Sequence, residues 1–153
     1  MPVNSRHITA VHFKVACIDT LPGTAVTHNE ASNIHAFKDK IDWSNTAKAT
    51  ISKLDSTFWV RGDIRKDYRI IGYEKPSFKS RSLILFSVFT RDVKDNPLKC
   101  LFGSYYSTAD MTFKDKKLKF VRFEGSFAKV LLMRGDTLLA SLYFPKSWVE
   151  LSD

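Results

Sequence analysis

The sequence predicts an all-β domain, a single antiparallel meander that closes into a small barrel, with one short helix near residues 30–40. Three observations carry that prediction. Apolar and polar residues alternate in short runs, turn-forming residues recur between the runs, and no stretch has the strand–helix–strand spacing of a parallel α/β sheet. At 153 residues, 44% of them apolar, the chain suits one domain over 1–153 with a filled interior.

Residues 1–10 read as a loose lead-in. From there Val11, Phe13, Val15 and Cys17 alternate with His12 and Lys14, which gives a strand with one buried and one wet face. Leu21-Pro22-Gly23-Thr24 ends it. Asn29 to Lys40 is the helix: Asn29 caps it, Glu30 falls in the first turn, and Ile34 and Phe37 lie three apart. Beyond Thr46 the chain reads as strands near 46–54, 56–62, 66–74, 82–90, 98–107, 109–113, 118–124, 126–133 and 137–144. The connections use turn chemistry: Arg61-Gly62-Asp63, Lys75-Pro76-Ser77, Asp92 to Pro97, Lys114 to Lys117 and Arg134-Gly135-Asp136. Strands so close in sequence pair with their neighbours, and closure removes exposed edges.

Several function classes drop out. The longest apolar run, Ser82 to Phe89, falls short of the roughly 18 residues of a spanning helix. The first residues lack a basic flank followed by an apolar segment, so an intracellular, cytoplasmic protein is expected. Cys17 and Cys100 sit in separate apolar segments and read as buried free thiols. His7, His12, His28 and His35 show no metal-ligand spacing, and neither a nucleophile elbow nor a Gly-rich phosphate loop occurs. No metal and no cofactor is expected. The two Arg-Gly-Asp triplets fall at turns, where Gly and Asp serve the backbone.

The most informative interval is Lys114 to Glu124. After a charged hairpin tip, strict alternation puts Leu118, Phe120, Arg122 and Glu124 on one face and Lys119, Val121 and Phe123 on the other. With the even face inward, Arg122 and Glu124 would line the barrel, either as a structural Arg–Glu pair near its rim, partly wet, or as a pair that contacts a ligand; in an enzyme, burial would raise the Glu124 pKa. Phe120-Val121-Arg122-Phe123 also echoes the tail of the RNA-recognition-motif signature. Basic residues interleaved with Phe113, Phe120 and Phe123 suit single-strand binding. The net charge of +8 permits a polyanionic partner and equally serves solubility.

Two further stretches resemble the phenolic acid decarboxylases. Trp59 to Ile70 is similar to that family's hairpin running into its Asp-Tyr-Arg-Ile strand, here Asp67, Tyr68, Arg69 and Ile70. Leu118 to Val149 has a strand ending in Glu124, then a hairpin, then Leu142-Tyr143-Phe144-Pro145-Lys146-Ser147-Trp148-Val149, similar to the family's Phe-Phe-Pro-Lys-Trp-Val. Together they cover less than a third of the chain. The resemblance implies a lipocalin-like barrel and matches Glu124 to the family's catalytic glutamate. Lys48 and Thr50 fall where its catalytic tyrosines are expected; its arginine falls near Phe78, with Arg81 as the neighbouring substitute.

The leading expectation is therefore a lipocalin-like barrel that binds a small, largely apolar, anionic or aromatic ligand. Arg81, Arg122 and Glu124 are the polar contacts, and Tyr68, Tyr105, Tyr106 and Phe120 the wall. An enzyme variant of this is a cofactor-independent lyase, decarboxylase, isomerase or cyclase. In it Arg81 or Arg122 holds a carboxylate while Glu124 or a tyrosine moves a proton. The third expectation is single-stranded nucleic-acid binding on a basic, aromatic surface. The expected partners are thus a small molecule first and nucleic acid second, with no membrane and with a homodimer left open.

Overall fold

The computed structural model describes residues 47–60, 69–112 and 114–153. The expected helix near 30–40, the first strand, Cys17, the four histidines, Tyr68, Phe113 and the first Arg-Gly-Asp turn lie outside the described residues.

The described chain is mostly β. Its elements are β1 (Ala49–Ser52), β2 (Phe58–Val60), β3 (Arg69–Tyr73), β4 (Ser82–Ser87), helix α1 (Thr90–Asp95), β5 (Ser104–Tyr105), helix α2 (Thr108–Thr112), β6 (Lys116–Glu124), β7 (Phe127–Arg134), β8 (Thr137–Pro145), a 3-10 turn (Lys146–Trp148) and β9 (Val149–Ser152). They form two sheets, ordered β2-β1-β9 and β5-β4-β3-β8-β7-β6. Both are mixed, since β1 runs parallel to β9 and β4 parallel to β5.

The consecutive antiparallel hairpins β3–β4, β6–β7 and β7–β8 agree with the expected alternation. A simple closed meander does not describe the rest. β3 pairs with β8 through Tyr73 and Tyr143, skipping everything between, and neither sheet closes into a barrel among the described residues. The sheets meet at one corner, where Thr57 bridges to Lys119 and the Phe120 amide donates to the Ser56 carbonyl at 2.8 Å. No helix among the described residues is long and apolar enough to cross a membrane.

Two expected strands are replaced for identifiable reasons. Residues 109–113 alternate like a strand, yet Thr108–Thr112 is a one-turn helix. The Asp110 carboxylate accepts the Ser107 amide at 2.9 Å, the reciprocal half of a capping box, and this nucleates the turn. Residues 98–107 yield only the two-residue β5, because Asn96 gathers the preceding loop. Its side chain accepts from the Cys100 amide and the Ser104 hydroxyl and donates to the Cys100 carbonyl, at 3.0–3.1 Å. Ahead of it, the segment expected as a plain connection forms α1. There Asp92 accepts from Ser87 Oγ at 2.5 Å and from Arg69 Nε at 2.7 Å, tying the helix to β4 and β3. β4, α1 and β5 thereby make a small crossover, the connection that a parallel pair requires. The final strand, β9, was not expected.

The core lies between the sheets. Phe58 of β2 stacks on Phe144 of β8, with centroids 4.7 Å apart, and Ile51, Ile70, Ile84, Phe86, Val130, Leu132 and Trp148 are fully buried. Gly72 is the tightest point: a Cβ there would lie 2.6 Å from Ile84 Cγ2 and 2.8 Å from Phe144 Cζ. Gly72→Ala is expected to destabilise the fold by about 1–3 kcal/mol, as overpacking does, measured as a lower urea midpoint at unchanged slope. A midpoint equal to the parent's would show that β3 and β8 are not in this close contact.

Candidate nucleic-acid interface

The orientation of β6 governs which charged side chains reach solvent. Residues directly opposite on paired strands share a face. Leu118 faces Leu132, Phe120 faces Val130 and Phe123 faces Ala128, all of them buried partners, so these three side chains point to the core. Val121 is the extra residue of a bulge between Phe120 and Arg122, and it shifts the alternation by one. Arg122 therefore lies opposite Lys129, on the outward face with Lys119 and Glu124.

Arg122 and Glu124 do form a partly wet ion pair, but on the outward face rather than lining an interior. The Arg122 side chain is 62% exposed and that of Glu124 26%. Glu124 Oε1 sits 2.5 Å from an Arg122 nitrogen and 3.5 Å from Lys129 Nζ. Shielding pushes the carboxyl up, but the hydrogen bond from Arg122 and the charges of Lys129 and Arg122 outweigh it. The Glu124 pKa is thus held below the ordinary 4.5 rather than raised toward neutrality. At neutral pH the group is a carboxylate that neutralises two cations.

The outward face continues across the corner between the sheets. Lys119 opposes Thr57, and Trp59, two residues on, projects from the same side. Trp59 is 46% exposed, while its neighbours Phe58 and Val60 are buried in the core. On the other flank Lys129 Nζ lies 5.8 Å from the ring of its cross-strand partner Tyr143. The face thus presents Trp59, Lys117, Lys119, Arg122, Lys129 and Tyr143. Alternate positions such as Lys117 and Lys119 repeat at about 7 Å along the strand.

The remaining expected site residues are dispersed. Tyr105 is buried, donating to the Phe102 carbonyl at 2.8 Å and accepting from Lys116 Nζ at 3.1 Å. Tyr106 is exposed beside it. Phe120 packs on Phe123 at the edge of the core, with centroids 4.9 Å apart. Arg81 is exposed at the base of the β3–β4 connection, on a different hairpin from Arg122 and Glu124. Lys48 and Thr50, at the positions the decarboxylase resemblance assigns to tyrosines, are buried. Lys48 Nζ stands 4.5 Å from the Trp148 ring, and the Thr50 hydroxyl donates to Glu150 at 3.3 Å. Arg81, Glu124 and these two positions are thus on separate elements.

Trp59, Lys117, Lys129 and Tyr143 are the residues of this face that sequence reasoning missed. Two of them carried a signal: an aromatic between two core positions in Phe58-Trp59-Val60, and a lone lysine within the apolar run Phe127 to Met133.

A carboxyl whose folded pKa is depressed stabilises the fold above its unfolded pKa, about 4.3, and that contribution is lost as pH falls through the folded value. NMR titration is expected to place the Glu124 midpoint below that of a model glutamate, and Lys129→Ala to move it upward. A midpoint at or above the model value would contradict the Arg122–Glu124–Lys129 arrangement. Compared with known proteins, the chain matches no family model, no curated protein and no solved structure.

Proposed function

We propose that this chain binds single-stranded nucleic acid across the outward face of β2, β6, β7 and β8. The observation that carries the reading is the position of Trp59, exposed and aromatic, on the same face as Lys119, a face that Lys117, Arg122 and Lys129 share. Single-strand binders combine a cationic track for the backbone with an aromatic surface on which bases stack, and neither component depends on base sequence. The charge of +8 supports the same partner.

An apolar ligand inside a barrel draws less support. The inward side chains of the two sheets meet one another directly, as the Phe58–Phe144 stack illustrates. Proton transfer by Glu124 likewise draws less support, since two cations hold its carboxyl ionised.

The test is binding of a labelled single-stranded oligonucleotide by fluorescence anisotropy over a range of salt. Affinity is expected to fall steeply with salt. Trp59→Ala is expected to lose about 1–3 kcal/mol, the usual value of one stacked base. Lys119→Gln is expected to flatten the log–log salt slope by about 0.7, one phosphate contact on a single strand. Absence of binding at low salt, or binding indifferent to salt and to both substitutions, would reject the reading.

A further inference from the structure

The hairpin of β6 and β7 places like charges directly opposite one another twice, and it treats the two pairs differently. Arg122 opposes Lys129, and Lys116 opposes Arg134. Directly opposed like charges destabilise a strand pair. The first pair is relieved from within, because Glu124 lies against both members. The second has no such partner: among the described residues no carboxylate forms an ion pair with Lys116, Lys117 or Arg134.

These three cations surround an open concavity of about 440 Å³ at the rim of the sheets, completed by Thr112, Asp115 and Gly135. The turn backbone closes it. Asp115 adopts a left-handed conformation (φ 55°), and its carbonyl accepts the Gly135 amide at 3.3 Å. Lys116 is held in place, its Nζ donating to the Tyr105 hydroxyl, which is itself anchored on the Phe102 carbonyl. Lys114 adds a further cation 5.2 Å from the same ring.

We propose that this concavity binds a phosphate monoester. Arg134 supplies the planar fork that matches phosphate oxygens, and Lys116 and Lys117 supply point charges. Three cations facing one carboxylate suit a dianion better than the singly charged diester inside a nucleic-acid chain. Lys117 belongs both to this concavity and to the outward face, so the proposal rests on the single-strand reading and deepens it: the monoester is the terminal phosphate of the bound strand. The same chemistry is offered by a free phosphorylated small molecule, and the experiment separates the two.

Oligonucleotides of one sequence carrying a 5′-phosphate, a 3′-phosphate or only hydroxyl ends are titrated against the full chain, with a nucleoside monophosphate tested in parallel by thermal shift. One of the phosphorylated oligonucleotides is expected to bind at least tenfold more tightly than the unmodified one, and Arg134→Gln or Lys117→Gln to remove that difference. Equal affinity for all three would overturn the terminal-phosphate site while leaving the surface reading intact. If no oligonucleotide binds but the monophosphate raises the melting temperature of the parent and not of Arg134→Gln, the site stands with a small-molecule ligand and the strand reading falls. No response to any of them rejects both.

Discussion

An extra residue in one strand decides which side chains of the β6–β7 hairpin meet the core. Leu118 and Phe120 point inward, and were Val121 an ordinary paired strand residue rather than a bulge, the same parity would carry Arg122 and Glu124 inward after them. Arg122 would then sit against buried Ala128, at a desolvation cost that only an excellent pairing could offset. With the bulge, Phe123 takes the inward place and the charged pair turns to solvent. Bulges redirect side chains in this way at sheet edges and near functional surfaces, and β6 lies at the edge of its sheet.

The consequences divide the molecule into two parts. Inside, the two sheets are joined chiefly by aromatic and branched aliphatic side chains, with Gly72 allowing β3 and Phe144 to approach. The crossover of β4, α1 and β5 is pinned by Asp92, whose ion pair with Arg69 is nearly buried and is completed by the Ser87 hydroxyl. Outside, cations collect on β6 and β7. Lysines on an edge strand also discourage unwanted strand pairing, so the same residues that protect the edge are free to meet an anion. Trp59 adds an exposed indole to this face, for which edge protection has no use.

Much of the hairpin pattern was legible because it depends on local alternation and turn chemistry: β3, β4, β6, β7 and β8 all fall where alternation places them. What was not legible depends on contacts distant in sequence or on a single irregularity. The pairing of β1 with β9 joins residues near 50 to residues near 150, and nothing local announces it. The helix at Thr108–Thr112 is decided by one carboxylate reaching back to one amide, against an alternating pattern that favours a strand. The orientation of Arg122 and Glu124 turns on Val121, which in sequence is indistinguishable from an ordinary strand residue. Uninterrupted alternation puts Arg122 and Glu124 on the face of Phe120, whereas the bulge turns them to the opposite face. The Tyr105 hydroxyl accepts from Lys116 and donates to the Phe102 carbonyl, contacts that local alternation does not announce.

On the proposed function, the protein acts through its outward basic face and not through its interior. The most direct measurement is an NMR titration of the isotope-labelled chain with a single-stranded oligonucleotide, following backbone amides and the Trp59 indole. Progressive shifts at Trp59, Lys117, Lys119, Arg122 and Lys129, with Val130, Leu132 and Phe144 unmoved, are the predicted result. Shifts concentrated at the core positions, with the outward face silent, would contradict the account.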